Sequence, residues 1–437
     1  LGTAAIPSQG RLGDFFHHVK DALHIGRREG EHPAAEDDAV DVFAHGVPRE
    51  MSMRDLRAVA AAQTSAERAD APSIEQIPFG MEIEMERMGK IGAWFRLKFV
   101  PSWNVDGHKG SWKVTHDGSL DSGGEIVSPV MRLAGGRAED EIRRVYGIAR
   151  KGGGRATDHC GLHVHVDAKC LGPTGMAALM RMAMENEGLL FGIAQNGKPQ
   201  HRGEPNGYRY CKPFSNNLGD AFDLMHAESR GQFRNALYEQ VPANRGALPP
   251  AHVDNYQANR YDPARYFAIN FNSYWYRGTV EFRIFDGTDD PEKAIANVKL
   301  ALGMVAAASR GDYAFLEKHG ISSKRAVSRE AFDYFMSQVA PQPALRQKLS
   351  DMFTQGGGQF VDDAPVNDAN VLNTAFLMQR GYRFEADGKR LTSPFEVRAL
   401  MTGGGYPRHR VRVSGPGVDG YDINDARDLR KLVRKAG

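Results

Sequence analysis

The sequence predicts an α+β fold, a curved sheet whose polar face lines a common cavity, with helices packed on the other face. Three observations predict it. Three separate stretches alternate apolar with ionisable residues at the period of two that a strand imposes, so each has a greasy side that needs a shared core. The segments between them carry apolar residues at helical spacing instead. Finally, 437 residues exceed one small domain and bury a sizeable core, which points to one large domain with appendages.

Residues 1–76 are read as a polar, partly helical arm or linker. Phe15, Phe16, Val19 and Leu23 lie at helical spacing, but REGEHPAAEDDA and residues 63–76 are charged, Ala-rich and short of large apolar side chains. Such composition cannot offset the entropy of ordering with a core of its own. A leader is the expected role, with contact to a protein partner as the alternative. Position 1 is Leu rather than Met, and the expectation is a processed product or a fragment of a longer chain.

The second unit, residues 77–310, opens with IPFGMEIEME, where Phe79, Met81, Ile83 and Met85 alternate with Gly80, Glu82, Glu84 and Glu86. Same-face side chains on a strand stand roughly 6.6 to 7 Å apart, so Glu82 and Glu84 can converge on adjacent hard cations. An edge strand with a solvated acidic face gives the same pattern. Strands are expected near 94–100 and at 111–115, where Trp112 and Val114 oppose Lys113 and Thr115. Asp117-Gly118-Ser119 and Gly123-Gly124 then have turn chemistry around Glu125-Ile126-Val127.

A helix at 138–150 leads to CGLHVHVDA, in which Leu162, Val164 and Val166 alternate with His163, His165 and Asp167. The Met-rich stretch 174–195 is expected to be one buried helix, its methionines serving as core filler. Residues 196–218 are rich in Gly, Pro and basic residues, and a loop of that length is usually functional. Its Arg202, Arg209 and Lys212 could meet phosphate or simply face water. After a polar helix at 220–240, Val280, Phe282 and Ile284 alternate with Thr279, Glu281 and Arg283. Asp290 then caps a helix with Pro291 at its first position.

Residues 311–437 are expected to form a helical or irregular C-terminal appendage. Short helices fit 329–338 and 344–352, a basic strand fits 409–413, and a final basic helix fits 424–435.

With 56 basic against 54 acidic residues the net charge is +2, which gives no footprint for nucleic acid. Cys160, Cys170 and Cys211 lack CxxC spacing and are odd in number, arguing against a disulfide framework and for a reducing, cytoplasmic compartment. No apolar run approaches the roughly 18 residues of a membrane span, so no membrane partner is expected.

Alone, His163 and His165 fit a hydrogen-bonded pair, and Glu281 with Arg283 fits a same-face ion pair worth under about 1 kcal/mol. Together, EIE, HVH and EFR suggest one cavity lined by Glu82, Glu84, His163, His165, Glu281 and Arg283, with Asp117 and Glu125 delivered between them. Carboxylates with only two histidines and an arginine favour magnesium and phosphate over a thiolate-rich metal site.

In order, FGMEIE, the tryptophan and DGSL of SWKVTHDGSL, GGEIVSPV, CGLHVHVD and TVEFRIFDG resemble the successive motifs of the amidoligase family. That family is similar to glutamine synthetase and gamma-glutamylcysteine ligase in its carboxylate–amine ligase core. The resemblance spans roughly residues 79–308. It implies an antiparallel sheet curled around the site with helices on its outer face. It also implies ATP- and Mg2+-dependent formation of an amide or isopeptide bond through an acyl phosphate, with two or more metal ions.

By position in the motifs, Glu82, Glu84, Glu125 and Glu281 would ligate magnesium. His163 and His165 would ligate metal or donate to a phosphate oxygen, and Arg283 would hold the γ-phosphate and the acyl phosphate. Asp117 would orient the incoming amine or serve as a further metal ligand, while Arg265 and Asn270 would bind nucleotide or substrate. The substrates implied are a small-molecule or peptide carboxylate and an amine. Two other readings stand beside this one: a zinc hydrolase built on His163, His165 and a glutamate, and a catalytically silent ligase fold serving as an interaction module.

Overall fold

The alternating segment around Glu82 is a strand, and its neighbours pair with it in antiparallel register. The computed structural model describes residues 47–64, 72–87, 104–105, 108–109, 112–116, 120, 123–194, 211, 263–310, 326–362, 366–386, 388–402 and 410–437. The arm up to residue 46, the strand expected near 94–100, Asp117 and the helix at 220–240 lie outside the described residues. So does the loop at 196–218 apart from Cys211.

Among the described residues, eight strands come from the first two thirds of the chain. They are β1 (Phe79–Glu86), β2 (Asn104–Val105), β3 (His108–Lys109), β4 (Lys113–His116), β5 (Gly123–Val127), β6 (Gly161–Asp167), β7 (Ile269–Asn270) and β8 (Thr279–Asp286). Apart from the small β2–β3 hairpin they form one six-stranded sheet in the order β4-β5-β1-β6-β8-β7, every pair antiparallel. The fold is α+β. Phe79, Met81, Ile83 and Met85 are all buried, as are Leu162, Val164 and Val166 on β6.

Val280, Phe282 and Ile284 are buried as the alternation on β8 predicts, and Phe285 is buried beside them. Leu162 faces Phe285 while Val164 faces Phe282, so β8 carries one residue more than β6 between these pairs. This β-bulge returns Phe285 to the core beside Phe282, ring centroids 6.4 Å apart, and displaces the simple alternation just where Arg283 stands.

Helices α1 (Met53–Thr64), α2 (Arg137–Lys151), α3 (Gly172–Glu185), α4 (Glu187–Ala194), α5 (Ser273–Arg277) and α6 (Pro291–Ser309) accompany the sheet. In α2 the stripe Ile142, Val145, Tyr146 and Ala149 is buried, the 3.6-residue pattern of a helix lying on a core. The single helix expected over 174–195 is two, because Asn186 sends its side-chain amide back to the Met182 carbonyl at 3.0 Å and competes with the main-chain ladder. Asp290 caps α6 by accepting from the Glu292 amide at 2.9 Å, and nearly every residue of that helix from Ala294 to Ala308 is buried.

The core does not end at residue 310. Helices α7 (Arg329–Val339) and α8 (Pro343–Gln355), with the parallel pair β9 (Ala326–Ser328) and β10 (Gln359–Val361), add Phe332, Phe335, Met336, Leu349 and Phe353 to the same apolar cluster that lies on the sheet. Phe353 sits against Gly192 of α4 and against Gly358, at approaches that leave no room for a side chain at either glycine.

Beyond that, α9 (Ala369–Gln379), β11 (Arg383–Ala386), β12 (Lys389–Leu391), α10 (Pro394–Thr402), β13 (Val411–Gly415), β14 (Val418–Ile423) and α11 (Ala426–Ala436) build a second antiparallel sheet, ordered β12-β11-β13-β14, with three helices. This stretch is more regular than the appendage expected from sequence, because its strands are too short to display a period. Helix α1 packs on α9, and Met51 and Val366 exchange backbone hydrogen bonds at 3.0 and 2.9 Å. Among the described residues no helix is long and apolar enough to cross a membrane.

Two glycine substitutions test this packing. A methyl group at Gly303 would overlap the Val339 carbonyl at the end of α7, so Gly303→Val should destabilise by about 1–3 kcal/mol. Gly147→Ala on α2 meets nothing within 4 Å and should stabilise by up to about 1 kcal/mol. Urea unfolding of the two variants beside the parent checks both signs.

Candidate active site

Directly paired residues of antiparallel strands project to the same face, so the registers assemble the site. Glu84 pairs with Glu125 across β1–β5, and Thr115 of β4 pairs with the same Glu125. Glu82 pairs with His163, and Gly80 with His165, across β1–β6. His165 in turn pairs with Glu281, and Glu281 with Asn270 of β7. Glu82, Glu84, Glu125, His163, His165, Asn270 and Glu281 therefore share one polar face, opposite the packed apolar one.

The side chains touch. His163 Nδ1 is 3.4 Å from Glu82 Oε2 and 3.8 Å from Glu281 Oε1, while its Nε2 is 3.4 Å from Glu84 Oε1. His165 Nε2 is 3.3 Å from Glu82 Oε1 and 3.9 Å from Glu281 Oε1. Arg283 Nη1 donates to Glu281 Oε1 at 2.6 Å, and Asn270 Nδ2 donates to Glu281 Oε2 at 2.7 Å. Both oxygens of the buried Glu281 are thereby engaged by fixed donors.

Protonation follows from burial and these contacts. Burial opposes ionisation of Glu82, but contact with His163 and His165 outweighs it and holds the carboxyl well below the usual range. Glu281 is likewise held low: burial works against its charge, and His165, Arg283 and His163 together overcome it. Burial and the Arg283 charge disfavour protonating His163, yet Glu84, Glu82 and Glu281 prevail and raise its pKa above the ordinary imidazole value. Glu82 and Glu281 are thus neutralised by their neighbours rather than by protons.

This donor set suits a divalent cation. Glu82, His165 and Glu281 form one group whose ligand atoms lie within 4.8 Å of one another, and Glu82, Glu125 and His163 form a second. His165 makes no well-formed hydrogen bond through either buried ring nitrogen, a desolvation penalty of about 1–3 kcal/mol that a bound ligand would offset. Glu84 falls outside both groups. Its Oε2 accepts from the Gly161 amide at 2.5 Å, and it is placed to orient His163.

Of the remaining expected residues, Arg265 lies in the 3-10 turn Pro263–Tyr266, its guanidinium 4.8 Å from the Tyr266 ring centre. Arg283 approaches that same ring at 6.0 Å. Sequence reasoning missed Tyr266, and also Arg277 of α5, whose Nη1 is 3.9 Å from Glu82 Oε1. It missed the Gly161 amide as well. None carries a periodic signal, although a glycine opening a strand opposite Glu84 marks a backbone free to approach a carboxylate.

A family described as "putative amidoligase enzyme" matches residues 50–305 of the chain. The chain belongs to the amidoligase family. The match begins before the first motif strand and takes in α1, so the amidoligase region reaches further towards the N-terminus than the motifs alone. Among curated proteins no match was found. As an amidoligase the protein is a ligase-type enzyme, and the polar face of its six-stranded sheet is the candidate place for the chemistry.

The Arg283–Glu281 contact gives a direct test. Arg283→Met leaves Glu281 buried without its cation and should cost about 3–5 kcal/mol in denaturant titration with a chelator present. Arg283→Met/Glu281→Gln should recover most of that loss, because no unpaired charge remains. Equal destabilisation of single and double variants would show that the two charges are not coupled.

Proposed function

We propose that this amidoligase is an ATP- and magnesium-dependent carboxylate–amine ligase that forms an amide or isopeptide bond through an acyl phosphate. The supporting observation is the shared face: strand register brings acids, imidazoles and a guanidinium from β1, β6 and β8 within 4 Å contacts of one another, with Glu125 of β5 within 4.8 Å of Glu82 and His163. Phosphoryl transfer asks chiefly for positioning and for neutralisation of spread negative charge.

In this reading Glu82, Glu125 and Glu281, with His163 and His165, hold magnesium, which when bound neutralises phosphate oxygens. Two groups of ligands suit two ions. The planar fork of Arg283 takes phosphate oxygens in two parallel hydrogen bonds, and Asn270 keeps Glu281 oriented beside it. A substrate carboxylate oxygen attacks the γ-phosphorus of ATP and ADP leaves. The nitrogen of the amine then attacks the acyl carbon, the C–O bond to phosphate breaks, and the nitrogen loses its proton to a base. Asp117, which follows β4 in the sequence, is proposed for orienting that amine, and Arg265 for binding substrate beside Tyr266. A core resembling glutamine synthetase, a curled sheet and a cytoplasmic setting belong to the same proposal. Cys160, Cys170 and Cys211 are all free thiols, which suits a reducing compartment.

The zinc-hydrolase alternative needs both histidines on one ion. His163 and His165 belong to different ligand groups, each richer in carboxylate than imidazole, and that favours hard cations.

Phosphate release should require magnesium and rise only when a carboxylate and an amine are both supplied. Glu82→Gln and Arg283→Ala should each lower kcat by at least about 100-fold in a screen over carboxylate and amine pairs. Undiminished turnover in both variants, or hydrolysis that needs zinc and no ATP, would defeat the assignment.

A further inference from the structure

A second place on the molecule has the makings of a ligand site, and it shares no residue with the sheet face. A surface cavity of about 510 Å³ is lined by Arg150, Arg155, Asp289, Asp290 and Pro291, within the range of small-molecule sites. It is formed where α2 ends, where the chain passes Arg155, and where α6 begins.

Its charges are opposite and partly uncommitted. Arg155 spends Nη1 on the Gly154 carbonyl at 2.8 Å. Asp289 Oδ1 accepts from the Ala156 amide at 2.9 Å, and Asp290 Oδ1 caps α6. Asp290 Oδ2 has Lys348 Nζ at 3.7 Å, which leaves the second oxygen of Asp289 as the anion best able to meet a cation in the cavity. Arg150 faces the cavity from the last turn of α2.

Near the cavity, α2 carries an anomaly. Tyr146 is 2% exposed and its hydroxyl has no hydrogen-bond partner, in a position where phenylalanine would avoid the cost. One helical turn before it, Arg143 clamps Glu292 of α6 at 2.7 and 3.2 Å, and one turn after it stands Arg150. The stripe Arg143-Tyr146-Arg150 therefore lays the phenol against the start of α6. Burial first, and then the charges of Asp289 and Asp290, raise its pKa far above the ordinary phenol value.

We infer that this cavity binds a zwitterion carrying one carboxylate and one ammonium, as in a free amino acid or a short peptide. The carboxylate meets Arg150 and Arg155, and the ammonium meets Asp289. The inference does not rest on the ligase reading.

Calorimetric titration of the full chain with glycine and with diglycine tests it, acetate and methylamine serving as single-charge controls. One of the two zwitterions should bind saturably in the millimolar range, at least fivefold tighter than either control, and the tighter of the two identifies the source. Arg150→Gln and Asp289→Asn, which retain the fold and the Ala156 contact, should each weaken it at least fivefold. Glu82→Gln, in the sheet site, should leave it unchanged. No saturable binding, acetate binding as tightly as glycine, or affinity lost in Glu82→Gln but kept in Arg150→Gln would overturn the proposal.

Discussion

The crowding of ionised carboxylates on one sheet face is the constraint around which the rest is arranged. Glu82 and Glu281 are at most one-fifth exposed at the side chain, and burying a charge without compensation is prohibitive. The chain answers with partners of fixed geometry: imidazoles from β6, a guanidinium two residues along β8 and an amide from β7. Such a network contributes little net stability against an apolar core of equal volume. Its retention makes sense as chemistry, since a preformed set of oriented charges need not reorganise when phosphate arrives.

The opposite face carries the stability. Apolar residues of β1, β6 and β8 pack against helices that include an almost wholly buried α6 and extend into α7 and α8. A rigid backing matters because the polar face works only if its strands keep register. A slip of one residue would turn Glu82 and His163 into the core and Met81 and Val164 outward. The bulge on β8 departs from that register beside Arg283, where a local change of twist re-aims a side chain without moving the strands on either side.

The three motif strands were legible because each joins an apolar face to an ionisable one, and that contrast is what period-two reading detects. Their common sheet was an inference from three like patterns, and the registers supply it residue by residue. Tertiary hydrogen bonding was not legible. Asn186 splits a helix through a side-chain contact that its propensity does not signal, and the bulge between Phe282 and Phe285 leaves the amphipathic pattern looking regular. Arg277 and Tyr266 sit on short turns whose direction depends on partners far along the chain. The short strands β11, β12 and β14 were hidden for a related reason, since three to six residues offer too few repeats to set against noise.

The wedge of Phe353 between Gly192 and Gly358 bears on how the protein can be divided. The matched family stretch stops at 305, yet the ring that covers α4 is supplied from almost fifty residues later. A fragment cut at the family boundary would leave Leu189, Phe191 and Ile193 without part of their cover, and greasy surface of that kind invites clumping during expression. The smallest soluble catalytic piece should therefore be sought beyond α8 and β10.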